Sequence, residues 1–471
     1  MKIPHEIISP TTGLPPGVAE PVSTSSSSVD AAAAAGDNSH TYMKSPLSTL
    51  LVPLVLFSVV VPSVLQAASG LDWPSYRGPN GDGVTKAAPG KAWDKGGPKE
   101  VWKVGANKGF SSVTVSDGIA ATLVTREHEG SATEFVVAMD PATGKEIWAK
   151  PLKLVKYDGG GDSGDGKNKG GDGPRSTPTI SDGMVFVYGS NLELYCYEAK
   201  QGKLLWSIDI IGNYNGKNIQ WQNATSPLIE GGLVIVGGGG KDAAFLAFDK
   251  ITGSLKWKAG DDIITHAMPV AATIGGERQV IFFMKSGLTS VSPASGKILW
   301  QQPYKFAVST AASPVVFENI VYCSAGYGVG SAAFEVKKSG GTFTTSELWR
   351  VEGDGLNNHW STPVVYQGYL YGMFGFKKYG DCPVKCLDIR TGKEMWSQEG
   401  FGPGNLILAA DKLLALSDKG ELVMIAAKPD AYNELARADV LDGKCWSTPT
   451  LSGGFIFARS TKEAACFAVV P

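Results

Sequence analysis

The sequence predicts an all-β protein: an eight-bladed β-propeller of four-stranded antiparallel blades, its ring closed by pairing of the N- and C-terminal strands. Three observations predict it. An eleven-residue pattern occurs five times, as AMDPATGKEIW (138–148), CYEAKQGKLLW (196–206), AFDKITGSLKW (247–257), SVSPASGKILW (290–300) and CLDIRTGKEMW (386–396). Weaker tryptophan strands at EVWKVG (Trp102) and SELWR (Trp349), with a worn copy near Leu435, bring the count to eight. An independent Ser/Thr-Pro pattern gives the same number, starting near Ser111, Ser176, Thr225, Met268, Ser313, Ser361, Pro403 and Ser447. The third observation is composition: 59 Gly and 10% aromatic residues against 19% charged suit many short strands joined by tight turns and exclude a mainly helical chain. A repeat of about 40 to 50 residues with glycine and aromatic markers is the period of bladed propellers.

Each position of the pattern has a physical reason. The acid at position three (Asp140, Glu198, Asp249, Asp388, with Ser292 as a weaker substitute) accepts hydrogen bonds from turn amides. Glycine at position seven (Gly144, Gly202, Gly253, Gly296, Gly392) permits the positive φ of a hairpin turn, so it is a turn device and no phosphate cradle. Tryptophan at position eleven is expected to wedge between neighbouring blades, with a small residue at position one making room, so two of the six cysteines, Cys196 and Cys386, are space-fillers. Burying each indole is worth about 2–3 kcal/mol from area alone. The docking residues are thus Trp102, Trp148, Trp206, Trp257, Trp300, Trp349 and Trp396. The Trp102 strand has no inner strands before it and the last unit no tryptophan strand after it, so joining them closes the ring and leaves no open edge.

Ahead of the ring (100–471) and its N-terminal arm (69–99), residues 1–42 are rich in Ser, Ala, Pro and Thr and lack apolar periodicity. They read as a disordered leader, or as lying upstream of the true start. Residues 43–68, from Met43 through one Lys and a long apolar run to Leu65-Gln66-Ala67, have the layout of a cleaved secretory signal peptide, with a retained membrane anchor as the alternative. The formal charge is −2, and the leader accounts for all of it, so nothing favours nucleic acid as a partner. Only His128, His266 and His359 lie outside the leader, too few for a multi-histidine metal centre.

The motifs together resemble the pyrroloquinoline-quinone-like (PQQ-like) β-propeller repeat family over nearly all of residues 72–471. The stretch DWPSYRGPNGDGV (72–84) looks like the opening of its secreted bacterial members, and GPRSTPT (173–179) and NNHWSTP (357–363) like their blade starts. The resemblance implies one of three roles: a quinoprotein dehydrogenase holding PQQ with calcium, an aspartate base and a disulfide of adjacent cysteines; a BamB-like protein-assembly scaffold; or an exported ring without an assigned role. Here Cys196, Cys323, Cys382, Cys386, Cys445 and Cys466 are all separated, and no Cys-x-x-Cys-His haem signature occurs. The long inserts of a dehydrogenase funnel are also missing. The DCPVKC cysteines make a weak metal signal, and DGGGDSGDGKNKGGDG (158–173) fails the EF-hand template and reads as an inserted loop.

Loops just before the inner strands reach the channel mouth, where a ligand would bind. Aligning on the strand proline puts Arg175, His266, Trp360 and Trp446 in one slot, with Asn223 and His359 one residue earlier. These six suit a carboxylate-bearing or aromatic ligand or a peptide side chain. Arg77 is expected to lock the arm to the ring. The reading is an exported, non-enzymatic ring that binds an envelope protein or small ligand, without a cofactor or metal; the alternative is a PQQ-dependent dehydrogenase using the channel mouth.

Overall fold

The computed structural model describes residues 72–94, 96–154, 172–375 and 382–469. The leader, the apolar segment 43–68 and all but the last two residues of the glycine-rich loop lie outside the described residues. Among the described residues no helix is long and apolar enough to cross a membrane.

Eight small, mainly antiparallel sheets follow one another along the chain, each built from an inner strand outward, and the seventh carries a fifth, parallel strand, Val84–Thr85, on its inner edge. Blade 1 is Thr114–Ser116, Ile119–His128, Ser131–Met139 and Glu146–Pro151. Blade 8 has three consecutive strands, Thr450–Ser452, Phe455–Arg459 and Glu463–Ala468, and takes its outermost strand, Lys99–Gly105, from the other end of the chain. Trp102 pairs with Cys466 across that closure, as expected. The inner strands begin within three residues of the predicted blade starts. One short helix, Ile210–Tyr214, was not anticipated; Asp209 caps it by accepting from the Gly212 amide (2.9 Å).

The recurring pattern fastens blades through two contacts. Within a blade, each docking tryptophan faces a small residue on the adjacent strand: Ala138 opposite Trp148, Cys196 opposite Trp206, Ala247 opposite Trp257, Ser290 opposite Trp300, Ala333 opposite Trp349 and Cys386 opposite Trp396. Between blades, five of the seven indoles, those of Trp102, Trp148, Trp206, Trp257 and Trp349, lie on the position-seven glycine of the next blade. A Cβ at Gly144 would meet the Trp102 ring at 2.7 Å, and one at Gly202, Gly253, Gly296 or Gly392 would meet Trp148, Trp206, Trp257 or Trp349 within 2.5–2.8 Å. The glycine therefore serves twice, in its φ of 65–72° and in giving the ring a flat seat.

The indole N–H then donates to the position-four carbonyl of that next turn: Trp102 to Pro141 (2.9 Å), Trp148 to Ala199 (2.8 Å), Trp206 to Lys250 (3.2 Å), Trp257 to Pro293 (2.8 Å) and Trp349 to Ile389 (2.8 Å). Trp300 departs from this pattern because blade 5 replaces the turn with a long hairpin, 330–351. Its indole donates instead to Gln279 Oε1 of its own blade (2.7 Å). Position-three acids accept turn amides as expected, Asp140 Oδ1 from Ala142 (2.8 Å) and Asp388 Oδ1 from Arg390 (2.8 Å).

A third fastener links neighbouring blades at four of the eight junctions. One residue before the strand proline or its equivalent, Ser112 N donates to Thr177 Oγ1, Thr177 N to Ser226 Oγ, Ser313 N to Thr362 Oγ1 and Thr448 N to Ser112 Oγ, each 2.9 Å. At these four junctions a hydroxyl of one blade satisfies an otherwise buried amide of its neighbour, and the last of these bonds joins blade 8 to blade 1.

Candidate functional site

The loops leading into the inner strands converge on a cavity of about 300 Å³. Its wall comes mainly from one slot, three residues before the strand proline (Val113 in blade 1): Phe110, Arg175, Ala224, His266, Ala311, Trp360 and Trp446, one from each of seven blades. Blade 7 contributes Asn405. Of the six residues expected at the mouth, the structure brings five together: Arg175, His266, His359, Trp360 and Trp446. Asn223 is the correction. It is fully buried, and its Nδ2 donates to Tyr188 O (3.0 Å) and Thr225 O (3.1 Å), so its amide is committed to holding the loop behind the wall.

Aromatic rings form a continuous arc. Phe110 stacks on Trp446 (centroids 4.9 Å, 26°) and Trp446 on Trp360 (4.9 Å, 29°). His359 meets Trp360 edge-on (5.4 Å) and Tyr327 meets His359 edge-on (5.3 Å). The Lys444 ammonium lies 4.9 Å from the Trp446 ring centroid and pairs with Asp172. Across the cavity, Arg175 Nη1 donates to Trp221 O (3.3 Å) and His266 Nε2 lies 3.1 Å from Gln220 O. Trp221, Gln222 and Tyr327 hold left-handed backbones, φ 67°, 62° and 61°, which cost energy in residues with a Cβ and concentrate at binding sites.

No carboxylate lines this cavity among the described residues. Burial, then the Arg175 charge, then His359 push the His266 imidazole down to about 3, and burial pushes His359 down to about 4, so both rings are neutral near pH 7. Among the described residues Arg175 is thus the one formal charge in the wall. Asn405 Nδ2 donates to Trp446 O (2.7 Å), while Asn405 Oδ1 and Thr448 Oγ1 are buried without a hydrogen-bond partner among the described residues. The ring's buried carboxylates are elsewhere: Glu134 accepts from Ser190 Oγ (2.5 Å), and Asp418 does not reach the lining.

Sequence reasoning missed Phe110, Trp221, Tyr327, Asn405 and Tyr76 of the N-terminal arm, all of which line the cavity. Phe110 was within reach, since it occupies the same slot as Arg175. Trp221 and Tyr327 come from turns between strands, whose course no periodicity fixes.

Comparisons with known proteins agree with this architecture. A family model described as outer membrane protein assembly factor BamB matches residues 132–372. The chain is 24% identical over 287 residues to a tetrathionate hydrolase of Acidithiobacillus ferrooxidans, covering 59% of this chain and 49% of that protein. It is 23% identical over 313 residues to the outer membrane protein assembly factor BamB of Moranella endobia, covering 64% of this chain and 61% of that one. The chain thus spans about half to three-fifths of the length of these relatives. A quinohemoprotein alcohol dehydrogenase from Comamonas testosteroni superposes with TM-score 0.60 at 14% identity, over 86% of this chain and 82% of its own. At these identities the likenesses establish the fold, and the match over half of the sequence places the chain in the PQQ-like β-propeller family whose model is described as outer membrane protein assembly factor BamB.

Proposed function

We propose that this ring is a ligand-binding propeller of the cell envelope whose cavity takes a planar aromatic molecule bearing carboxylates, the chemistry of a quinone cofactor such as PQQ. The observation that carries the reading is the stacked wall of Phe110, Trp446 and Trp360 facing Arg175, in a lining without an acid. The indole faces would stack on a planar ring system, and the Arg175 fork would take a carboxylate. The neutral imidazoles, Asn405 Oδ1 and Thr448 Oγ1 would meet its remaining polar edges.

The residues fit a planar quinone, which would supply two-electron redox chemistry when bound. They do not fit the calcium ion or the aspartate base that the quinoprotein resemblance implies, because a hard divalent cation selects carboxylate oxygens and the lining provides none. A complete quinoprotein dehydrogenase is the second reading, supported by the extent of the superposition on the Comamonas enzyme. An assembly scaffold is the third, suggested by the family description, as is a periplasmic or secreted location.

Titrating the full ring with PQQ, with and without calcium, and following tryptophan quenching and the quinone spectrum tests the proposal. We expect one-to-one, calcium-independent binding that weakens about tenfold or more in Arg175→Ala and Trp360→Ala. Calcium-dependent dye reduction on alcohols would transfer the assignment to the dehydrogenase. No binding at all would overturn the proposal in favour of the scaffold.

A further inference from the structure

The N-terminal arm does more than lock onto the ring. Trp73 forms an antiparallel bridge with Val115 of blade 1's inner strand (N to O 2.9 Å both ways), and Ile180 N of blade 2 donates to Pro74 O (2.8 Å). The chain turns through RGPNGDG and leaves with Val84–Thr85 paired parallel to Leu408–Ala409 on the inner edge of blade 7. Residues 72–85 are therefore a loop pushed into the central channel, rising against one inner strand and returning along another.

Its tip is pinned by Arg77, almost wholly buried, which donates to Thr362 O (2.7 Å) and Pro363 O (2.8 Å) of blade 6 and to Asp82 O (2.9 Å). The glycines of the motif follow from this packing. A Cβ at Gly83 would lie 2.7 Å from the Arg77 guanidinium, and one at Gly78 would lie 3.1 Å from the Trp73 ring.

Register fixes the depth of this loop. The arm meets four blades, at Val115, Ile180 and Leu408 in their inner strands and at Thr362 just before the inner strand of blade 6, two to five residues beyond the cavity-lining Phe110, Arg175, Asn405 and Trp360. At about 3.3 Å per residue it lies roughly 7–17 Å deeper along the channel. Tyr76, at the tip, is the arm residue that reaches the cavity, half-buried, with no hydrogen bond to its hydroxyl among the described residues.

We infer that residues 72–85 are a built-in plug that makes the channel a cup with one mouth, and that Tyr76 is its floor and a specificity-determining residue for whatever the cup binds. The ligand half of this inference rests on the function proposed above; the plug half does not.

A Tyr76→Cys variant of the full ring tests both halves, because the six native cysteines are buried and burial pushes Cys196, Cys386, Cys445 and Cys466 up to about 12. A small maleimide should label the introduced thiol alone, and Ala311→Trp, which narrows the mouth, should slow that labelling at least tenfold. An unreactive thiol, or labelling indifferent to Ala311→Trp, would overturn the plug. Bound PQQ should protect the thiol, and Tyr76→Phe and Tyr76→Ala should each shift PQQ affinity at unchanged thermal midpoint, the alanine variant about tenfold or more. PQQ that binds without protecting the thiol overturns the role of Tyr76. If PQQ fails to bind, the proposed function falls while the labelling still decides the plug.

Discussion

At the scale of single residues, the position-seven glycines and the two cavity histidines give the sharpest expectations. Gly202 and Gly183 both hold positive φ, 65° and 72°, but only Gly202 has an indole where a Cβ would go. Gly183→Ala should cost about 1 kcal/mol, the conformational term alone. Gly202→Ala should cost about 1–3 kcal/mol more, since the Trp148 ring must shift. Urea midpoints of the two variants, measured side by side, read the indole contact by difference, and equal midpoints would refute the seat. The histidines act through pH. Their folded values lie below the ordinary imidazole range, so between about pH 6.5 and 4 the unfolded chain binds more protons and stability falls as pH falls. The slope is up to about 1.4 kcal/mol per pH unit for each ring. His266→Gln should flatten the acid limb of a stability-versus-pH profile, and an unchanged limb would show that the ring is not buried as described.

At the scale of elements, the arm and the inner strands govern behaviour. Arg77→Ala leaves two buried carbonyls, Thr362 O and Pro363 O, and the part-buried Asp82 O without their donor and should cost at least about 2 kcal/mol, read as a lowered thermal midpoint and as faster proteolysis within residues 86–98. How far the sequence showed these elements depended on whether a residue's role is local. The turn acids, the glycines and the small partners of the tryptophans each answer to neighbours a fixed distance along the chain, so a repeated pattern displayed them and with them the eight blades. The slot before the strand proline was legible for the same reason and yielded Arg175, His266, Trp360 and Trp446. Asn223 misled because a polar side chain one residue away from that slot points behind the wall, where backbone acceptors claim it. Tyr76 was illegible because its place depends on where an irregular loop goes after entering the channel. Trp300 kept the sequence pattern but changed its partner, since the missing turn belongs to the next blade.

At the scale of the whole molecule, closure joins residues hundreds of positions apart. Besides the Lys99–Gly105 strand, Arg459 of blade 8 is almost wholly buried and reaches into blade 1, donating to Leu123 O (2.8 Å), Thr122 Oγ1 (3.0 Å) and Asn107 O (2.7 Å). Burial pushes its guanidinium down to about 10, so it remains charged at neutral pH. Arg459→Met should lower stability by at least about 2 kcal/mol, and far-ultraviolet and tryptophan signals should still fall together, because opening the seam frees every blade. Separate transitions for the two signals would show that the blades hold independently.

The course of the inserted loop also orients the molecule. Asp72 accepts from Ser116 Oγ (2.9 Å), at the end of blade 1's inner strand farthest from the aromatic rim. The inserted loop therefore starts at the face opposite the rim, so a molecule entering through the tryptophan opening approaches from one side of the ring while the loop that closes the far side is threaded in from the other.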